Sequence, residues 1–150
     1  IRGRRVAAIT YDPEPDAVMD FLADAVRQLA TTVECICTLA GHVSTEQARW
    51  KPSPEKWSIL EVINHLADEE VEDFRTRLDL TLHRPGEPWP AIDPQGWVAE
   101  RGYAERGLDD SIARLARERE RSLRWLDSLE NPDWERAYVH PAAGRLQFSR

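Results

Sequence analysis

The spacing of apolar residues constrains the fold of this chain more than any other feature. Three separate segments carry apolar side chains at steps of three and four residues, which places them on one face of an α-helix. No segment shows a convincing strand pattern, so the sequence predicts an all-α bundle. The three predicted stripes are Val18, Leu22, Ala25, Leu29, Val33, Ile36 and Ala40; Leu60, Ile63, Ala67, Val71, Phe74 and Leu78; and Ile112, Leu115, Ala116, Leu123, Leu126 and Leu129.

Start and stop signals set the boundaries of the three predicted helices. The pair Asp12-Pro13 predicts an N-cap and a first-turn proline for the first helix, which a glycine ends after residue 40. Ser58 and Glu61 form an S-x-x-E capping box, so the second helix is expected to begin there and to run to about residue 82. The third is expected to begin at Asp109 or Asp110 and to end at an Asn-Pro pair, residues 131–132.

The connections between the helices give further expectations. Residues 84–107 are rich in Pro, Gly and aromatic residues, and so long a connection is typical of a functional segment or of one that packs its own aromatics. Trp89 and Trp97 are therefore predicted either to pack over the bundle or to form the wall of a pocket. Residues 131–150 are expected to be a loop, with a turn near Ala143-Gly144.

The length of 150 residues predicts one domain. Three helices can close a core, but a chain that stops where a fourth should begin would leave an apolar groove open. We therefore expect residues 1–150 to form a single helical domain that is incomplete at its C-terminus, with a fourth helix at or beyond Arg150.

The charge balance limits the classes of partner. With 27 acidic and 20 basic residues, the formal net charge is −7, and no block of Lys or Arg occurs. Because such a surface repels phosphate backbones, we expect no nucleic-acid partner. The arginines alternate with acids, as in "ARLARERERSLRW", which is typical of a solvated helix face held by i,i+4 pairs. No apolar run approaches the ~18 residues of a membrane span, so no membrane partner is expected.

Cys35 and Cys37 are the only cysteines. Two residues apart on a helix, they point about 200° from each other and cannot form a disulfide. They are predicted to be reduced, half-buried residues of a cytoplasmic protein.

His65 is the residue on which a functional interpretation depends. It lies roughly 140° around the helix from Leu60, so it is either an exposed histidine or part of the wall of a polar pocket between helices. A zinc or nickel site needs at least three ligands, and imidazole suits both metals, but the chain contains no H-x-x-x-H or H-E-x-x-H pair. Glu69, one turn later, is a candidate ligand, a candidate hydrogen-bond partner of a ligand, or a surface acid.

The stretch "ARWKPSPEKWSILEVINHLADEEVEDFRTRL" closely resembles the DinB-like superfamily. In that superfamily the second helix has a Trp-Ser start, then His-Leu-Ala-Asp, then a Phe-x-x-Arg-Leu ending. The resemblance extends through "AIDPQGWVAERGYAERGLDDSIARLARERERSLRWLDSL" and "VHPAAGRLQF", which is similar to the family's His-Pro-x-x-Gly-x-Leu turn, and it covers most of the chain from about Val18.

The resemblance implies an up-down four-helix bundle with a divalent metal, zinc or nickel, held by three histidines. His65 matches the ligand of the second helix, whereas the His-x-x-x-His pair of the fourth helix has no counterpart in this chain. Glu61, Asp68 or Glu69 would then fix the tautomer of His65. Members of the family include thiol S-transferases that use bacillithiol, mycothiol or glutathione, and a mycothiol-dependent isomerase.

Two functional hypotheses follow from these sequence features. The first is a metal-binding protein that acts as a thiol S-transferase or as a hydrolase on a small-molecule thiol or electrophile. The second is a non-catalytic bundle that acts through homodimerisation or by binding a small ligand.

Overall fold

The computed structural model describes residues 15–140 and 144–147 of the chain. The predicted N-cap at Asp12-Pro13 and the Ala143 half of the predicted turn lie outside the described residues. None of the described helices is both long and apolar enough to cross a membrane. The described elements, in chain order, are α1 (Pro15–Ala40), α2 (Thr45–Arg49), α3 (Ile59–Glu69), a π-helical segment (Glu70–Arg75), α4 (Thr76–His83), α5 (Pro94–Glu100), a 3-10 turn (Tyr103–Glu105), α6 (Leu108–Asp127), β1 (Ala137–His140) and β2 (Gly144–Gln147).

The helices pack as a bundle in which α6 contacts both α1 and α3. The predicted all-α architecture is confirmed, and the core divides into two clusters along the bundle. The stripe of α1 is mostly half-buried rather than fully buried, so this face of the helix is only partly covered by the described residues. The first cluster comprises Ala40, Ala48, Leu60, Ile63, Ala67, Leu108 and Leu115, and the second Leu78, Leu82 and Leu126.

The second predicted helix is continuous but contains a change of helical type. It begins at Ser58 as predicted and ends at His83, one residue beyond the predicted end. Residues 70–75 form a π-helix, in which the Thr76 N–H donates to the carbonyl of Val71, five residues earlier. Val71, which was predicted to face inward, lies within this segment and is only half-buried. π-helical turns of this kind are frequent at functional sites.

The capping box at the start of α3 is buried. Ser58 has extended backbone angles, its Oγ accepts from the Glu61 N–H at 3.2 Å, and Glu61 Oε2 accepts from the Ser58 N–H at 2.7 Å. α2 carries a second box, formed by Ser44 and Gln47, that is exposed.

We expect Ser58→Ala to lower the free energy of unfolding by about 1–2 kcal/mol, because the buried N–H of Glu61 loses its acceptor. Ser44→Ala is the matched control: its cap serves a five-residue helix in contact with water, so we expect a loss below about 0.5 kcal/mol. Urea denaturation of the two variants measures the difference. Equal losses of unfolding free energy in Ser58→Ala and Ser44→Ala would show that burial of the capping box adds no stability.

Two short helices and both ends of α6 differ from the sequence predictions. The loop between α1 and α3 contains the short helix α2, and the connection over residues 84–107 contains α5, whose N-cap Asp93 accepts from the Gly96 N–H at 3.0 Å. α6 begins one residue before the predicted start and ends at Asp127, before the predicted Asn-Pro stop. Ala116 is exposed rather than on the inward face of α6.

The segment after α6 was predicted to be a loop, and that prediction is wrong for residues 137–140 and 144–147. β1 and β2 form an antiparallel hairpin in which Ala137 is opposite Gln147 and His140 is opposite Gly144. The hairpin contacts the connection between α4 and α5, where Tyr138 stacks on Trp89 with 4.1 Å between ring centroids. Strands of four residues are too short to show a clear periodic pattern in the sequence, and the contact with Trp89 joins residues that are far apart in the chain. Among the described residues no helix follows α6, so the fourth helix stays a prediction.

Cys37 is half-buried as predicted, whereas Cys35 is exposed, and both are free thiols. The reason is the helical geometry itself: two positions about 200° apart cannot both face one core.

Candidate functional site

His65 lies on the second turn of α3, partly enclosed by its neighbours. Its side chain is 19% exposed, and its Nδ1 atom is buried with no hydrogen-bond partner among the described residues. The edge of Trp57 packs against the imidazole, with 4.7 Å between ring centroids and 61° between the planes. His65 therefore lies in the wall of the bundle rather than on open surface.

The environment of His65 favours the neutral imidazole. Burial lowers the pKa of His65, and the negative charge of Asp68 opposes this shift only in part. A neutral imidazole at pH 7 has a free lone pair on one ring nitrogen. The ring can therefore accept a proton or bind a metal without first losing a proton.

Of the three acids predicted to orient His65, Glu69 is the one whose carboxylate lies beside the ring. Glu69 Oε1 is 3.8 Å from His65 Nδ1, about 1 Å longer than a hydrogen bond. Glu61 is occupied in the capping box and also accepts from Lys51 Nζ at 2.6 Å. Asp68 points into a cluster formed with arginines of other elements.

The Asp68 cluster is buried between α3, α6 and the segment that joins α5 to α6. Asp68 is 1% exposed and accepts hydrogen bonds from the Tyr103 hydroxyl and from Arg114 Nη2. Arg101 Nη1 forms an ion pair with Asp68 at 2.9 Å. Burial alone would raise the pKa of Asp68, but the bonds from Tyr103, Arg114 and Arg101 outweigh it and hold the pKa below its ordinary value.

Glu69 also connects His65 to a groove that opens along the bundle. The groove has a volume of about 350 Å³, and Glu69, Asp73 and Arg77 line it at successive four-residue steps. Burial raises the pKa of Glu69, and its hydrogen bond with Asp73 raises it further. Asp73 also forms a 2.7 Å ion pair with Arg77. The groove thus presents charged groups on one wall, while Leu29, Leu66, Phe74, Leu78 and Trp89 give it an apolar lining.

The two tryptophans of the long connection have different positions. Trp89 lines the groove, lies under the Arg77 guanidinium at 5.0 Å, and donates from Nε1 to Thr81 Oγ1 at 3.2 Å. Trp97 is 7% exposed, lies under the Arg101 guanidinium at 4.0 Å, and does not line the groove.

The sequence analysis missed the partners of two arginines of α6, Arg114 and Arg119. Their alternation with acids predicted solvated i,i+4 pairs, but Arg114 reaches Asp68 and Arg119 reaches Glu70 on the neighbouring helical segment. The available signal was the position of the acids: Asp68 directly follows Ala67 of the inward stripe, and a buried carboxylate requires a cationic or hydrogen-bonding partner.

The described residues do not contain a complete set of metal ligands. Among residues 22–140, no group of three or more His, Cys, Asp or Glu side chains is arranged so that it could hold an ion. His83, for example, binds Asp79 through Nδ1 at 2.9 Å, at the far end of α4. His65 is the predicted metal ligand, and the described residues place Glu69 and Trp57 beside its ring.

The fold and the half-buried histidine define an α-helical bundle with one candidate ligand on its second long helix. Residues 28–150 match the sequence profile of the DinB superfamily. The chain belongs to the DinB superfamily, which confirms the resemblance seen in its motifs.

Two relatives show how far the similarity extends. A Bacillus licheniformis protein named "Putative metal-dependent hydrolase" is 33% identical over 110 residues, which are 70% of this chain and 59% of that protein. The chain thus spans about three fifths of the length of this curated relative. The structure of YfiT from Bacillus subtilis, described as "a probable metal-dependent hydrolase with an unusual four-helix bundle topology", superposes with a TM-score of 0.70. That match covers 91% of this chain and 78% of YfiT at 19% identity, so it establishes the fold alone.

Proposed function

We propose that this protein is a metal-dependent enzyme that acts on a small electrophilic molecule, with water or a low-molecular-weight thiol as the nucleophile. His65 is a ligand of the divalent metal, zinc or nickel. The observation that carries the proposal is the half-buried imidazole of His65, whose Nδ1 has no hydrogen-bond partner among the described residues and faces Glu69 Oε1 at 3.8 Å. The names of the two relatives support the metal-dependent chemistry.

The residues around His65 suit a ligand role. Trp57 restricts the imidazole ring, and the lowered pKa of His65 keeps the ring neutral. Glu69 is placed to accept a hydrogen bond from Nδ1–H after a shift of about 1 Å, which would fix the tautomer and leave Nε2 as the nitrogen that binds the metal. The remaining ligands must come from outside the described residues. A divalent ion bound there would lower the pKa of a coordinated water or thiol toward neutrality.

The groove beyond Glu69 suits a small substrate. Its volume of about 350 Å³ and its apolar lining can enclose a small organic molecule. Arg77, held over Trp89 and paired with Asp73, has further N–H donors that can orient a polar group of that molecule. A substrate in the groove would lie one helical turn from His65, because Glu69 borders both.

Metal analysis of the full-length protein tests the proposal. We expect close to one divalent ion per chain in the wild type, and at least a tenfold lower content in His65→Ala, because loss of a ligand removes a metal–nitrogen bond. Mass spectrometry with inductively coupled plasma measures the content, and assays of thiol consumption and of hydrolysis then identify the nucleophile.

His42→Ala is the matched control, since His42 is exposed in the turn after α1. It should retain the wild-type metal content. An unchanged metal content in His65→Ala would remove His65 from the site.

A non-catalytic bundle that binds a small ligand or a second copy of the chain is the second candidate. It is favoured by the lack of three grouped metal donors among residues 22–140. For this candidate the full-length wild-type protein would purify without stoichiometric metal, and light scattering would show a dimer.

A further inference from the structure

A second cavity lies on the other side of α3 from the groove. It occupies about 420 Å³ between α3, the segment before α6, and the first three turns of α6. It shares no lining residue with the groove beside Glu69. We call it the arginine pocket, because Arg106, Arg114 and Arg117 line it. The other lining residues are Asn64, Gly107, Asp110 and Ser111.

The arginine pocket is positive in an acidic protein. Three arginines and one aspartate line it, a difference of two positive charges, whereas the whole chain has a net charge of −7. Behind the lining, Asp68 pairs with Arg114 and with Arg101, and Arg101 also pairs with Glu72 at 3.4 Å. With Asp68, Arg101 and Glu72 included, the local excess is one positive charge. Such a local concentration of positive charge attracts an anion from solution.

Arg114 has an unused donor at this pocket. Its Nη2 donates to Asp68, while its Nη1 is buried and has no hydrogen-bond partner among the described residues. An unpaired buried donor of a charged group is costly, and such groups in native proteins usually have a bound partner. Because Nη1 is buried in this conformation, a rotation of the guanidinium toward the cavity would let an oxygen of a bound anion accept from it.

The other two arginines differ in how firmly they are held. Arg106 is fixed by donating to Asn64 Oδ1 at 2.9 Å and to the carbonyl of Arg101 at 3.1 Å. Arg117 is exposed and makes no hydrogen bond or ion pair with the described residues, so its guanidinium is free to bind a ligand.

The floor of the pocket is built before any ligand arrives. Asn64 is 0% exposed and donates from Nδ2 to Ser111 Oγ at 2.9 Å. Ser111 Oγ in turn donates to the carbonyl of Gly107 at 2.7 Å. Because these bonds lock the floor, little conformational entropy would be lost when a ligand binds.

We propose that the arginine pocket binds a phosphate group, either as free phosphate or as a phosphomonoester. Arginine presents planar pairs of N–H donors that match phosphate oxygens, and the positive lining suits a phosphate anion. The proposal is independent of the metal site, since His65 does not line this pocket.

A nuclear magnetic resonance titration of the full-length protein with inorganic phosphate at constant ionic strength tests the proposal. We expect saturable shifts of the backbone amides of Ser111 and Arg114. Arg117→Gln should weaken binding about tenfold, because one charge-assisted hydrogen bond is lost. Asp110→Asn should strengthen it several-fold, because the only acid of the lining becomes neutral.

Arg124→Gln is the matched control. It removes the same charge from the same face of α6, two turns further along and outside the pocket, and should change the affinity less than twofold. The fall in one variant and the rise in another cannot both result from partial unfolding. A parallel titration with glycerol 3-phosphate identifies the source of the group: tighter binding than phosphate indicates a phosphomonoester, and equal or weaker binding indicates free phosphate.

Three results would overturn the proposal. The first is a wild-type protein whose spectrum does not respond to millimolar phosphate. The second is an equal loss of affinity in Arg117→Gln and Arg124→Gln, which would indicate nonspecific attraction. The third is loss of phosphate binding in His65→Ala, which would place the anion at the metal site.

Discussion

Replacement of Asp68 by alanine should lower the free energy of unfolding by about 3 kcal/mol. The change leaves the Tyr103 hydroxyl buried without an acceptor, and it leaves Arg101 and Arg114 without their shared carboxylate. Breaking a buried ion pair by removing one partner costs roughly 3–5 kcal/mol. The lower value applies here because the two arginine side chains are 27% and 30% exposed and can be partly rehydrated. Urea denaturation at pH 7 measures the loss.

The same interaction should depend on pH in a defined direction. The folded-state pKa of Asp68 lies below its unfolded-state value of about 3.9, so its contribution to stability is fully present above that pH. It is lost as the pH falls through the folded-state pKa, since a protonated carboxyl no longer pairs with the arginines. The stability difference between wild type and Asp68→Asn should therefore be constant between pH 5 and 7 and should narrow below about pH 4.

Asp127→Ala is the control for these measurements, because Asp127 is exposed at the end of α6. It should change stability by less than about 0.5 kcal/mol. A loss in Asp68→Ala no greater than that of the control would show that the cluster does not stabilise the fold.

Arg119→Met should cost about 3 kcal/mol for a related reason. Arg119 pairs with Glu70 through Nε at 2.7 Å and Nη2 at 2.6 Å, and its Nη1 donates to the carbonyl of Leu29 at 2.9 Å. It thereby ties α6 to the π-helical segment and to α1. Glu70 is only 3% exposed, so loss of the guanidinium leaves a buried carboxylate without its cation.

A double-mutant cycle separates the interaction energy of the Arg119–Glu70 pair from the effect of each side chain on packing. Arg119→Met combined with Glu70→Leu should recover most of the loss, because an apolar pair of similar volume avoids the cost of burying charge. Arg121→Met is the control: its partner is Glu118, its side chain is 59% exposed, and it should cost less than about 1 kcal/mol. Strictly additive losses in the cycle would show that Arg119 and Glu70 do not interact energetically.

The candidate site was only partly accessible from the sequence. His65 was identified because its surrounding motif is local, and Glu69 because i,i+4 neighbours on a helix meet. The capping role of Glu61 was predicted, but its pairing with Lys51 and the burial of Asp68 among arginines were not accessible, because those partners lie elsewhere in the chain. Lys51 belongs to the loop before α3, and Arg114 belongs to α6.

The arginine pocket shows the same limit. Asn64 and Arg106 are 42 positions apart in the chain, and they meet only after α3 and α6 have packed. No spacing rule links a loop arginine to an amide on another helix. The hairpin of β1 and β2 was missed because Trp89, the aromatic residue on which it stacks, is nearly fifty positions earlier.

The sequence by itself determined the long helices, the capping box at Ser58, the end of α1 and the membership in a family of helical bundles. These features depend on interactions within three or four residues, which apolar spacing and capping residues encode directly. Only the tertiary structure decided which acids are buried, which arginines pair with them, and that the second helix contains a π-helical turn. Those outcomes depend on how each helix is rotated and placed against the others, which the free energy of the whole packed core decides.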